Sequence, residues 1–243
     1  MRTSAVSIDA TVGGRLLRRE QVLAWEDRRI GKAARRIGVP VPTAGDIEVR
    51  REALLHAKLE LGGEMLVERL GRDPRISGPL ARAQAAVSSH RRVSVARLAV
   101  TGGRADDFVA WFREQTVQSN EPAMLRACPD RFVIRTDADG RQEVIETTGG
   151  SPLTAAFLVD YTDSDGLVTP AHPDYPHQIA GTAKDIRSGR SIGGVRHQFR
   201  DIPGGFEAFL TVEFPLPTMP VMVSGHRWHL ACEFSNWIEA ALG

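Results

Sequence analysis

The carboxyl-terminal half of the chain carries a series of short strand patterns separated by turn residues, and this series restricts the possible folds most strongly. Residues 131–136 and 141–147 are two strand patterns around an Asp-Gly turn at 137–140. Because most links are short, consecutive strands are expected to pair antiparallel. Further strands are predicted at about 153–161, 177–186, 191–201, 205–214 and 220–232.

The first 128 residues carry mainly helical patterns. The pattern at 47–70 is the strongest: Asp46 precedes it as a cap, and Gly71 follows it as a stop. Two adjacent glycines, Gly62 and Gly63, indicate a kink within this helix or a place where another backbone comes close. Other helices are predicted at about 15–37, 78–89, 104–119 and 234–242, and a short strand at 93–100.

The sequence therefore predicts an α+β protein. A helical N-terminal region is followed by a curved antiparallel β-meander of about six or seven strands and a C-terminal helix. Residues 1–128 form the helical region and residues 129–243 the sheet region, as two domains or as one composite domain. This order of elements resembles helix-grip folds that hold small molecules, and the resemblance is one of architecture alone.

The net charge of +1 hides an asymmetry along the chain. Residues 1–100 hold 19 of the 31 Lys and Arg residues but only 11 of the 30 acidic ones. The arginine pairs are spread over this region, which favours solvated helix faces over one nucleic-acid-binding block. Pro40 and Pro42 follow the helix that ends near Gly38, so a helix-turn-helix is not predicted and nucleic acid is not an expected partner.

Several classes of protein are excluded by what the sequence lacks. No apolar run has the length of a membrane helix, and no secretory signal is recognisable, so a cytoplasmic location is expected. Phosphate-loop and dinucleotide-binding patterns are absent, which predicts no cofactor. The two cysteines, Cys128 and Cys232, have no metal-ligand spacing, and no metal is predicted. One alternative stays open, a metal held by His172, Asp174 and His177 in the long loop at 163–177.

Five of the seven histidines lie in the last 72 residues, and strand alternation sorts them. His197 is expected to lie across from Leu210, with His226 on the other side of Leu210. The two imidazoles would then be about 10 Å apart on one apolar face. We therefore predict His226 and His197 as catalytic residues. The predicted substrate-binding residues are Trp228, Tyr161, Phe199, Leu210 and Arg227.

Two histidines on an apolar sheet face suggest acid–base chemistry on a bound small molecule. The sequence predicts a small-molecule enzyme without a nucleotide cofactor, of isomerase, cyclase or lyase type. The alternative is a non-catalytic ligand-binding or regulatory module whose basic N-terminal region contacts a macromolecular partner. A homo-oligomer and a subunit of a larger complex are both left open.

Overall fold

A computed structural model describes residues 6–87, 90–149, 151–216 and 218–243. The strands are β1 (Ser7–Val12), β2 (Arg15–Leu17), β3 (Arg91–Thr101), β4 (Arg131–Thr136), β5 (Gln142–Glu146), β6 (Ala155–Asp160), β7 (His177–Asp185), β8 (Ser191–Ile202) and β9 (Gly205–Pro215). The helices are α1 (Arg19–Ile37), α2 (Ile47–Leu70), α3 (Arg72–Val87), α4 (Ala105–Val117), α5 (Glu121–Arg126) and α6 (Pro220–Leu242).

The strands in the described part of the chain form one antiparallel sheet of nine, in the order β2-β1-β3-β9-β8-β7-β6-β5-β4. The predicted number of six or seven is therefore wrong, although the α+β class and the large antiparallel sheet are confirmed. The difference comes from the N-terminal region, which contributes β1, β2 and β3 and is only partly helical. Strand β3 pairs with β9 along its whole length, from Arg91 opposite Pro215 to Thr101 opposite Gly205.

Several local predictions are confirmed because short-range chemistry determines them. Strands β4 and β5 form the predicted hairpin around the Asp-Gly turn. Helix α2 begins after Asp46, whose side chain accepts a hydrogen bond from the Val49 N–H. Gly62 has a φ of 71°, which interrupts the helix as the paired glycines predicted. The predicted end of α3 at Ser89 lies outside the described residues, and the division of the chain at residue 129 stays a prediction.

The segment predicted as a strand at 220–232 is the first half of helix α6, and this prediction is wrong. Met222, His226 and Leu230 are four residues apart, so they fall on one face in a strand and also in a helix. Pro220 stands in the first turn, where its missing N–H costs nothing. The apolar pattern then continues without a turn signal to Leu242, and this length is typical of a helix.

Helix α6 lies against the sheet and forms the centre of the main core. Phe108 of α4, Phe199 of β8, Phe206 of β9 and Phe234 of α6 are buried together with ring centroids 5.2–6.4 Å apart. A second core joins α1 and α2 to the β4–β5 hairpin. None of the helices in the described part of the chain combines the length and the apolar character needed to cross a membrane.

A close backbone contact joins α6 to the loop that follows β5. A Cβ atom built on Gly225 would lie 2.2 Å from the carbonyl oxygen of Gly149, far inside van der Waals contact. Alanine normally stabilises a helix interior by about 1 kcal/mol relative to glycine. Here we expect Gly225→Ala to lower the free energy of unfolding by about 1–3 kcal/mol, because rigid backbone must move to admit the methyl group.

Urea unfolding measures this effect, and Gly63→Ala in helix α2 is the matched control. A Cβ at Gly63 would approach the guanidinium of Arg135, with Nη1 at 3.3 Å and Cζ at 3.9 Å, and this group ends a flexible side chain. We expect the control to be neutral or stabilising. A Gly225→Ala variant as stable as the original chain would contradict the close contact.

Candidate functional site

A cavity of about 450 Å³ lies between the sheet and helix α6, with about two turns of α3 at its edge. Strands β4 to β9 provide the sheet wall, while α6 contributes Met222, His226, Leu230, Glu233, Phe234 and Trp237. These α6 residues follow helical spacing, so one face of the helix is turned to the cavity. The walls are mainly apolar, with side chains that include Val144, Phe157, Val159, Val195 and Val212.

The structure brings three of the seven predicted site residues to this cavity: His197, His226 and Tyr161. His197 pairs with Leu210 in the β8–β9 register, as predicted. The predicted place of His226 is wrong, because Ala96 of β3 lies on the other side of Leu210. His226 instead reaches the cavity from α6.

The other predicted site residues lie outside the cavity lining. Phe199 and Leu210 are fully buried in the core next to it. Trp228 packs half-buried against the same core. Arg227 is half-buried on another face of α6, where its guanidinium lies toward Gly13. Phe199, Leu210 and Trp228 therefore contribute to packing, and none of the four lines the cavity.

Apart from Glu146 Oε2, which is ion-paired with Arg131, two polar atoms of the cavity lining have no hydrogen-bond partner in the described part of the chain: Nδ1 of His197 and Nε1 of Trp237. Both side chains are almost completely buried, at 5% and 2% exposure. Burial lowers the pKa of His197 to about 3, so its imidazole is neutral at physiological pH. Buried polar atoms without a partner are rare, and each is a place where a ligand or a water could bind.

His226 is held in a defined orientation. Its Nδ1 atom lies 3.1 Å from the hydroxyl oxygen of Ser94, and its ring stacks on that of His229 at 5.2 Å. Phe214 packs edge-on against the same ring. Burial, together with the nearby charge of His229, holds the pKa of His226 well below its ordinary value. Both cavity histidines are thus neutral hydrogen-bonding groups.

One side of the cavity is polar and consists of an ionic cluster of Arg131, Glu146, His229 and Glu233. The Arg131 guanidinium lies 2.5 Å from Glu233 Oε1 and 3.2 Å from Glu146 Oε2. His229 Nε2 is 3.6 Å from a carboxylate oxygen of each glutamate. Arg131, Glu146 and Glu233 line the cavity, and His229 lies behind them.

The charges within the ionic cluster balance. Burial acts to raise the pKa of Glu233, but Arg131 and His229 outweigh it and lower this pKa to about 2. Burial acts to lower the pKa of His229, but Cys128 and the two glutamates hold it well above its ordinary value. The two glutamates therefore face the Arg131 guanidinium and an imidazole whose protonated form is favoured, and this pairing offsets the cost of burying charge.

One group of potential metal ligands exists in the described part of the chain: Cys128, Asp130 and His229, with ligand atoms within 4.8 Å of one another. The Asp130 carboxylate already accepts hydrogen bonds from Arg29 and Thr147. Cys128 Sγ lies 3.7 Å from His229 Nδ1. Because Asp130 is already engaged, these two atoms are the ones most open to a metal. In the loop at 163–177, His172 and Asp174 approach to 3.9 Å, but with His177 they form no such group among the described residues.

No protein-family model matches the chain, and a search of curated proteins found no significant match.

Proposed function

We propose that this protein binds a small, mainly apolar molecule in the cavity between the sheet and α6. The volume of about 450 Å³ is within the range of sites for small ligands. The observation that carries the proposal is the pair of unpartnered nitrogens, His197 Nδ1 and Trp237 Nε1, in a mainly apolar lining. A ligand with one polar group would satisfy these atoms and place its apolar part against the valine side chains.

A second candidate is acid–base catalysis by His197 and His226, of isomerase, cyclase or lyase type. The presence of two neutral imidazoles in one cavity favours it, because each can accept or share a proton with a bound molecule. A general base works best with a pKa near the operating pH, and the pKa of His197 is about 3. We therefore rank binding above catalysis.

Filling the cavity tests the proposal. Ala183 of β7 lines the cavity, and Ala183→Leu would occupy part of its volume. We expect this variant to bind decanol at least about tenfold more weakly than the original chain, because the lost volume excludes part of the alkyl chain. Isothermal titration calorimetry with decanol as the probe measures the affinity.

Ala180→Leu is the matched control, because Ala180 lies three residues away on β7 and does not line the cavity. We expect it to leave decanol binding unchanged. The proposal would be wrong if decanol did not bind to the original chain, or if the two variants weakened binding equally.

A further inference from the structure

A second, basic pocket of about 240 Å³ lies beside the cavity, against helix α1. Arg29, Lys32, Ala33 and Arg36 follow helical spacing on one face of α1, and Arg35 lies at the edge of that face. The opposite wall comes from the β4–β5 hairpin and the loop that follows it. The pocket is lined by Arg29, Lys32, Ala33, Arg35, Arg36, Asp130, Phe132, Thr147, Ser151 and Pro152.

The cationic side chains of this basic pocket differ in their partners. Arg29 forms a buried ion pair with Asp130. Arg36 pairs with Asp73 and donates to the carbonyl oxygen of Pro152. Lys32 and Arg35 are exposed and have no ion pair within the part of the chain that the structure describes. Lys32 and Arg35 therefore line a concave surface whose carboxylate, Asp130, is already paired with Arg29.

The basic pocket and the cavity are neighbours, because Ser151 and Pro152 line both of them. The adjacent threonines divide between the two sites: Thr147 lines the basic pocket and Thr148 the cavity. The Ser151 hydroxyl oxygen accepts a hydrogen bond from the Leu153 N–H, so its own hydrogen is available to another acceptor. A molecule in the cavity could thus extend past Ser151 into the basic pocket.

We infer that the ligand of the cavity carries a phosphate or diphosphate group that binds in the basic pocket. This inference rests on the proposed function and names the ligand class, an apolar molecule with a phosphorylated end. Arginine and lysine side chains bind phosphate oxygens through charge-assisted hydrogen bonds. Lys32, Arg35 and the Ser151 hydroxyl are the available donors. The volume of about 240 Å³ leaves room for more than one phosphoryl group.

Calorimetry with three probes of equal chain length tests the inference: decanol, decanoate and decyl phosphate, each kept below its micelle concentration. We expect decyl phosphate to bind at least about tenfold more tightly than decanol, and more tightly than decanoate. Lys32→Glu and Arg35→Glu are each expected to weaken decyl phosphate binding about tenfold and to leave decanol binding unchanged. Both residues are exposed on α1, so neither change should disturb folding.

Arg28→Glu is the matched control, because Arg28 is also exposed on α1 but does not line the basic pocket. Equal affinity for decanol and decyl phosphate would overturn the inference and leave the proposed function in place. Equal affinity for decanoate and decyl phosphate would overturn the assignment of a phosphate group. If Arg28→Glu weakened decyl phosphate binding as much as Arg35→Glu, the loss of affinity would come from the overall charge of the protein. That result would also overturn the inference. Failure of every probe to bind would overturn the proposed function, and the inference with it.

Discussion

Replacement of Arg131 by methionine is expected to lower the free energy of unfolding by about 3–5 kcal/mol. The guanidinium is the only permanently charged cation in the ionic cluster, and it contacts both Glu146 and Glu233. Methionine keeps an unbranched apolar side chain but has no charge, so two buried carboxylates would face the single charge of His229. Urea unfolding followed by circular dichroism measures the change.

Arg135→Met is the matched control, because it changes the same residue type on the same strand. Arg135 pairs with Glu64 and Glu143, but its side chain is 34% exposed. Exposed ion pairs contribute little, so we expect a loss below about 1 kcal/mol. If Arg131→Met and Arg135→Met lowered the free energy of unfolding equally, the buried ion pairs of Arg131 would be no more important for stability than the exposed pairs of Arg135.

A triple variant, Arg131→Met with Glu146→Gln and Glu233→Gln, separates charge balance from packing. Removing all three charges leaves no buried carboxylate without a partner, so most of the lost stability should return. His229 would then lose the two glutamates but keep Cys128, so its pKa should fall. If the triple variant were no more stable than Arg131→Met alone, the loss would come from packing around Trp237, whose ring lies 5.7 Å from the guanidinium.

The elements that could be predicted from the sequence are those defined by neighbouring residues. The β4–β5 hairpin depends on the turn at 137–140, and helix α2 depends on Asp46 and an apolar repeat. Strand β3 was predicted, but its place between β1 and β9 was not. That pairing joins Thr101 to Gly205 across the sequence, and no local pattern specifies which distant strand will be its partner.

The candidate site was predictable only in part, for a related reason. His197 is opposite Leu210 because a short turn fixes the β8–β9 register. The sequence analysis does not predict the ionic cluster. Arg131 and Glu233 are 102 positions apart, and they meet only because α6 packs on the sheet. One signal was available: Glu233 stands within the apolar segment 230–234, where a buried charge requires a partner.

The stability of the protein is expected to rise between pH 8 and about pH 10.5, relative to a Lys58→Met variant. Lys58 is 1% exposed, and its ammonium donates to the carbonyl oxygens of Arg131, at 2.6 Å, and Cys128, at 3.3 Å. Burial lowers its pKa from 10.5 to about 8, although the negative charges near Cys128 and Asp130 offset part of this effect. Lys58 therefore releases its proton earlier in the folded chain than in the unfolded chain.

The direction of the pH dependence follows from proton binding. Between pH 8 and pH 10.5 the unfolded state holds the Lys58 proton and the folded state has released it. Stability rises with pH wherever the unfolded state binds more protons. The pKa change corresponds to about 3 kcal/mol, which is fully present above pH 10.5 and is lost progressively as the pH falls from 10.5 to 8.

Urea unfolding of both chains across this pH range measures the difference in their free energies of unfolding. Lys32→Met is the matched control: Lys32 is exposed, and subtracting its curve removes the general effect of losing one lysine. We expect the difference between the original chain and Lys58→Met to increase by about 3 kcal/mol from pH 8 to pH 10.5. A difference that stayed constant or fell over this range would mean that Lys58 keeps its proton in the folded core. The carbonyl oxygens of Arg131 and Cys128 would then stabilise the buried ammonium more strongly than burial destabilises it.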